Sequence, residues 1–206
     1  MPAVGNPDNL LSEGVADVLK RVTAGKGKVF GLSLKDRSAI FPTGKRPDGA
    51  YWFDGKFHTS TYYADRVHTW VEAFNAGGTA DKWFGKNWTK FRPDLDYDKY
   101  TGPDKAAGEG SGTKQGVTFP HPTTGGLEKV GGAYYTALAN SPFGNDLLLE
   151  LAANYRDKGV KPPRVDDPDL YMVRAISVRL PKEASWLEQC RGYMQAELGK
   201  GFGYEP

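Results

Sequence analysis

The run Val29-Phe30-Gly31-Leu32-Ser33-Leu34 constrains this chain more than any other segment. It is short and mostly apolar, set off by Gly25-Lys26-Gly27-Lys28 before it and by Lys35-Asp36-Arg37 after it. A run with those boundaries reads as a buried strand of an α/β sheet. Ligands of open α/β sheets bind beyond the carboxyl ends of the strands, which is where Lys35 and Arg37 fall. If the extended conformation continues, these two cations point the same way. Two cations on one face suit an oxyanion, of which phosphate is the common one. The other reading is a solvated strand end with Asp36 paired to a neighbour. The tripeptide by itself leaves both open.

The flanking segments alternate helix and strand. Val15, Val18, Leu19 and Val22 repeat at helical spacing, with Ser12 as the expected N-cap. Tyr51 to Ser60 reads as a β-hairpin turning on the two residues Asp54-Gly55. Val67, Trp70, Val71 and Phe74 then mark one face of a helix that ends before Gly77. From Gly77 to Gly132 periodicity fades, and Thr101 to Thr113 reads as an exposed loop. Trp83 and Trp88 in this stretch either pin the loop to the core or offer a stacking platform, and we read them as pins. Ser141 as N-cap, Pro142 at the first helical position, and Phe143, Leu147, Leu148 and Leu151 on one face make a further helix.

Composition excludes several classes. The chain has 206 residues, room for one domain with a real core, or for one domain and a subdomain. A net charge of +2 is no footprint for nucleic acid. No apolar run approaches the roughly 20 residues that span a bilayer, and the first ten residues lack a basic and an apolar region of signal-peptide type. Neither nucleic acid nor a membrane is therefore an expected partner. The single cysteine, Cys190, excludes an internal disulfide and a cysteine zinc site.

Longer words give the tripeptide a context. Gly31-Leu-Ser-Leu-Lys-Asp-Arg-Ser-Ala-Ile-Phe-Pro-Thr-Gly44 runs on to Ala50-Tyr-Trp-Phe-Asp-Gly-Lys-Phe-His-Thr-Ser-Thr-Tyr-Tyr63. Trp70-Val-Glu-Ala-Phe-Asn75, Phe119-Pro-His121 and Ser141-Pro-Phe-Gly-Asn145 follow in the same order. From about residue 5 to 151 the chain resembles the PafA-like branch of the alkaline phosphatase superfamily, relatives of the type I phosphodiesterases and nucleotide pyrophosphatases. The resemblance implies an α/β fold: a partial alkaline-phosphatase-like sheet with flanking helices and a loop-rich, aromatic-bearing, cap-like insertion at about 77–132. Residues 1–173 would form this partial domain, and 174–206 a divergent tail. It also implies that Lys35 and Arg37 bind the phosphate of a small-molecule phosphate ester, monoesters favoured, while Asp36 is structural on the opposite strand face. Relatives are periplasmic or secreted, although this sequence shows no signal of its own.

The family uses a Thr or Ser nucleophile, an Asn on the phosphate, and two zinc ions held by Asp and His. The 34 residues before Lys35 contain no match to a nucleophile segment. The next ligand word should follow a strand at Asp169 to Val173, but Arg179 stands near the ligand Asp position, and Lys182-Glu183 near the Gly-His position. His58, His68 and His121 read as ordinary polar or packing residues, since none is spaced with acids as a metal motif requires. The expectation is a partial chain that carries a phosphate clamp without catalytic or metal residues, inactive alone and prone to self-association through exposed sheet edges. The alternative is a non-catalytic module that binds phosphate or glycan.

Overall fold

A computed structural model describes residues 5–157 of the chain, and they form a mixed α/β structure. The apolar run becomes β1, Phe30–Ser33. It lies parallel to β2, Gly49–Phe53, with Phe30 opposite Gly49 and Ser33 opposite Trp52. The crossover between them is α2, Asp36–Thr43. β3, Phe57–His58, returns antiparallel beside β2, giving the order β1-β2-β3. Phe53 faces Phe57 in this hairpin, so its turn is Asp54-Gly55-Lys56, one residue longer than the expected two.

All of β2 is buried, and its side chains alternate between two cores, as the period of a strand dictates. Tyr51 and Phe53 join Leu32, Val71, Phe74, Tyr134, Leu138 and Leu147 in the larger core. Ala50 and Trp52 pack with Ala39 and Ile40 of α2 in the smaller one. The larger core is roofed by α3, α5 and α6, which run Thr69–Ala76, Gly132–Ala139 and Pro142–Asp157. Val67 precedes α3, while Val71 and Phe74 turn inward as the spacing predicts. Pro142 opens α6 as expected, but the Ser141 hydroxyl donates back to the Leu138 carbonyl at 2.8 Å instead of capping.

Asn75, in the last turn of α3, closes the free edge of β3. Its Oδ1 accepts the Phe57 N–H at 2.9 Å, and its Nδ2 donates to the Phe57 carbonyl at 2.8 Å. A single amide thus stands in for a neighbouring strand.

The helix α1, Val15–Val22, inverts the expected polarity and starts after Gly14, not Ser12. Its valines face outward, whereas Ala16 and Asp17 are buried. Asp17 accepts the backbone N–H groups of Gly14 at 3.1 Å and Lys45 at 2.9 Å, clasping the helix start to the loop after α2. Asp48 makes a second clasp, accepting Lys20 Nζ at 2.5 Å, the Val29 N–H at 2.7 Å and Lys28 Nζ at 3.1 Å. Burial alone would raise this carboxyl, but the bonds from Lys20, Val29 and Lys28 outweigh it and hold Asp48 below the ordinary carboxylate range.

Trp83, at the end of a short 3₁₀ turn, Thr79–Trp83, is buried and stacks on Phe143, with ring centres 6.4 Å apart. It is a pin, as expected, and Thr123 fixes it further by donating to its carbonyl at 3.0 Å. The rest of the insertion holds α4, Asp98–Thr101, and a small antiparallel pair, β4 Asn87–Trp88 with β5 His121–Pro122. There Trp88 packs within the insertion, against Phe119 and His121.

Two outcomes follow. Asn75→Ala strips both backbone groups of Phe57 and should destabilise the chain by about 1–3 kcal/mol in urea unfolding. Because the Asp48 carboxyl is depressed in the folded state, its contribution is present at neutral pH and is lost as pH falls through the folded value. The stability gap between wild type and Asp48→Asn should therefore close on acidification below about pH 4.

Candidate phosphate-binding site

The end of β1 does not continue as an extended segment through Arg37. Lys35 is the last extended residue, φ −131° and ψ 142°, and Asp36 begins α2. The cations therefore stand at the N-cap and in the first turn of a helix, and do not share the face of one strand. The reason is local. The Ser33 hydroxyl accepts the Lys35 N–H at 3.3 Å, and the Asp36 carboxylate accepts the Arg37 N–H at 2.7 Å. An acid in the first turn also favours a helix start there. Asp36 is thus structural, as expected, but as a helix initiator and not as the reverse face of a strand.

Lys35 and Arg37 are both exposed, and neither forms an ion pair among the described residues. They flank the amino end of α2, whose first-turn N–H groups carry partial positive charge. Two cations and a helix N-terminus thus meet at the carboxyl end of a parallel strand.

The structure also unites two distant sequence words. The start of α6 packs on Leu34, the residue before Lys35. A Cβ on Gly144 would lie 2.8 Å from Leu34 Cδ1 and 2.9 Å from the Leu138 carbonyl oxygen. Sequence reasoning placed Ser141 to Asn145 on a helix start but did not bring it to the clamp. A glycine one position after Phe143 in an apolar helix was the available signal of close approach.

The histidines are scattered. His68 Nδ1 is hydrogen-bonded to the Tyr51 hydroxyl, His58 packs edge-on against Trp52, and His121 lies 3.2 Å from the Gln115 carbonyl. Burial pushes the Tyr51 phenol up to about 12, so it stays protonated through the physiological range. Among the described residues no group of three or more His, Cys, Asp or Glu is arranged to hold a metal. Asp169 to Val173, Arg179, Lys182-Glu183 and the expected tail lie outside the described residues. Two cavities, of about 600 and 580 Å³, are lined by neither Lys35 nor Arg37.

No protein-family model matches the chain. Individual proteins do. It is 38% identical over 151 residues to alkaline phosphatase PafA of Elizabethkingia meningoseptica, and 35% identical over 150 residues to alkaline phosphatase PhoV of Synechococcus elongatus. The wild-type PafA crystal structure superposes with a TM-score of 0.60 at 34% identity, covering 77% of this chain and 30% of that one. The chain matches part of the PafA-like alkaline phosphatase fold. It covers 27% of the length of PafA and 26% of PhoV. A solved PafA variant, matched at a TM-score of 0.58, carries substitutions of a Thr, an Asn, a Lys and an Arg, the last two being two positions apart.

In this PafA-like segment, Gly144→Ala should lower stability by about 2 kcal/mol, because the backbone beside it cannot yield. It should also move the amide resonances of Lys35 to Arg37, where an effect confined to α6 would leave them in place.

Proposed function

We propose that Lys35 and Arg37 bind the phosphate of a small-molecule phosphate monoester, as one part of an alkaline-phosphatase-type phosphoester hydrolase. The observation that carries this reading is the placement of two cations, without an ion pair among the described residues, where β1 meets α2 in a PafA-like segment. The solved PafA variant with a Lys and an Arg changed two positions apart supports it, since Lys35 and Arg37 have that spacing.

In phosphoryl transfer, charge spreads over the equatorial oxygens, and fixed cations aimed there lower the barrier. Arg37 offers a planar fork that can take two oxygens, while Lys35 acts as a point charge. A monoester dianion gains more from two such charges than a diester monoanion does.

Zinc, which would supply the activated oxygen nucleophile's charge compensation in the whole enzyme, does not fit the described residues. Their three histidines are apart, each beside a neighbour of its own, and no acid cluster joins them. We accordingly assign the described segment the clamp alone, and place the nucleophile and metal ligands of the complete enzyme outside it.

The test is a graft. Residues 5–151 replace the matched segment of PafA, and hydrolysis of an aryl phosphate is measured. Lys35→Ala and Arg37→Ala should each lower kcat/KM by about 10²–10³-fold, the magnitude seen when one preorganised donor is lost. Loss on an aryl diester should be smaller. Unchanged kcat/KM in grafts that keep wild-type circular dichroism would overturn the assignment.

A further inference from the structure

The cavity of about 600 Å³ lies among the β2–β3 hairpin, the C-terminal end of α3, the 3₁₀ turn that follows it and α5. Its volume is within the range of roughly 300–1,000 Å³ that small-ligand sites occupy. Phe53, Phe57, Phe74 and Tyr135 supply its aromatic walls. These rings hold one another in a row. Between centres, Tyr135 meets Phe53 edge-on at 5.7 Å, Phe53 meets Phe57 at 5.3 Å, and Phe57 meets Phe74 at 5.9 Å.

Tyr135 is also held from two sides. Its hydroxyl donates to Asp81 Oδ1 at 2.9 Å, and a Cβ on Gly55 at the hairpin tip would lie 3.0 Å from its ring. Burial first, and Asp81 second, push this phenol up to about 12, so it remains a donor through the physiological range. The walls are therefore fixed by contacts within the protein.

The charge that lines the cavity is negative. Asp54, Glu72 and Asp81 bring three carboxylates, all on exposed residues, against the one ammonium of Lys56. Asn75, Ala76 and Gly78 bring the end of α3 to the same place, and the last carbonyls of a helix carry partial negative charge. The faces of aromatic rings are negative as well. An anion is disfavoured on all three counts. A bare metal ion is a poor fit too, since no group of three or more His, Cys, Asp or Glu among the described residues is arranged to hold one. What satisfies aromatic walls and carboxylates together is a cation with apolar groups on its nitrogen.

We propose that this cavity binds a small organic cation, an alkylated or quaternary ammonium. Its apolar groups lie against Phe53, Phe57, Phe74 and Tyr135, and its charge is balanced by Asp54 and Glu72. The site is separate from the phosphate clamp, because neither Lys35 nor Arg37 lines it, and it does not depend on that reading.

Calorimetry with benzyltrimethylammonium tests the proposal, on the full chain and on the PafA graft carrying residues 5–151. The cation should bind both at least tenfold more tightly than benzyl alcohol, which has the ring without the charge, and benzoate should not compete. Asp54→Asn combined with Glu72→Gln should weaken binding of the cation at least tenfold while leaving circular dichroism unchanged. Lys35→Ala and Arg37→Ala should leave its affinity as it is, so failure of the clamp reading is separable. Equal binding of benzyl alcohol, tighter binding of benzoate, or no binding by either protein would overturn the proposal. So would unchanged affinity in the double variant.

Discussion

The contact on which the structure depends is the close approach of α2 to β1 at Gly31. With hydrogen as its side chain, this residue lets the Ala39 carbonyl and the Thr43 methyl come within the space that a Cβ would fill. The helix can then lie flat on the strand and begin almost as soon as the strand ends. Lys35 and Arg37 are delivered to the helix N-terminus as a consequence. From the side of the larger core, Gly144 lets α6 press on Leu34 and fix the same strand end. The candidate site therefore rests on two glycines.

Much of this was legible beforehand where one signal was strong. The glycine break and the charged tripeptide bounded β1, and apolar spacing placed Val71, Phe74, Leu147, Leu148 and Leu151 inside. Trp83 could be read as a pin because a large ring in a polar stretch has few other ways to be satisfied. What escaped was set by tertiary contacts that periodicity does not encode. Helical spacing found α1 but pointed it the wrong way, because Asp17 and Lys20 are bound by partners far along the chain. The extended reading of Lys35 to Arg37 failed because Asp36 satisfies the Arg37 amide and starts a helix. No local pattern announced that Asn75 would serve as a substitute strand, or that α6 would meet the clamp.

The α/β frame and the relatives agree on likeness to the PafA-like alkaline phosphatases. The division of labour is uneven. On the proposed reading, this stretch builds a doubly packed strand end that holds charge in place, the positioning half of phosphoryl transfer. Among the described residues no group of three or more His, Cys, Asp or Glu is arranged to hold a metal.

The central claim is that Lys35 and Arg37 grip the transferred group. Its most direct test is a crystal structure of the PafA graft with vanadate bound as a mimic of the phosphoryl group. The account predicts equatorial oxygens at about 2.7–2.9 Å from Lys35 Nζ and the Arg37 guanidinium. Vanadate seated in the site with both side chains turned to solvent would contradict it.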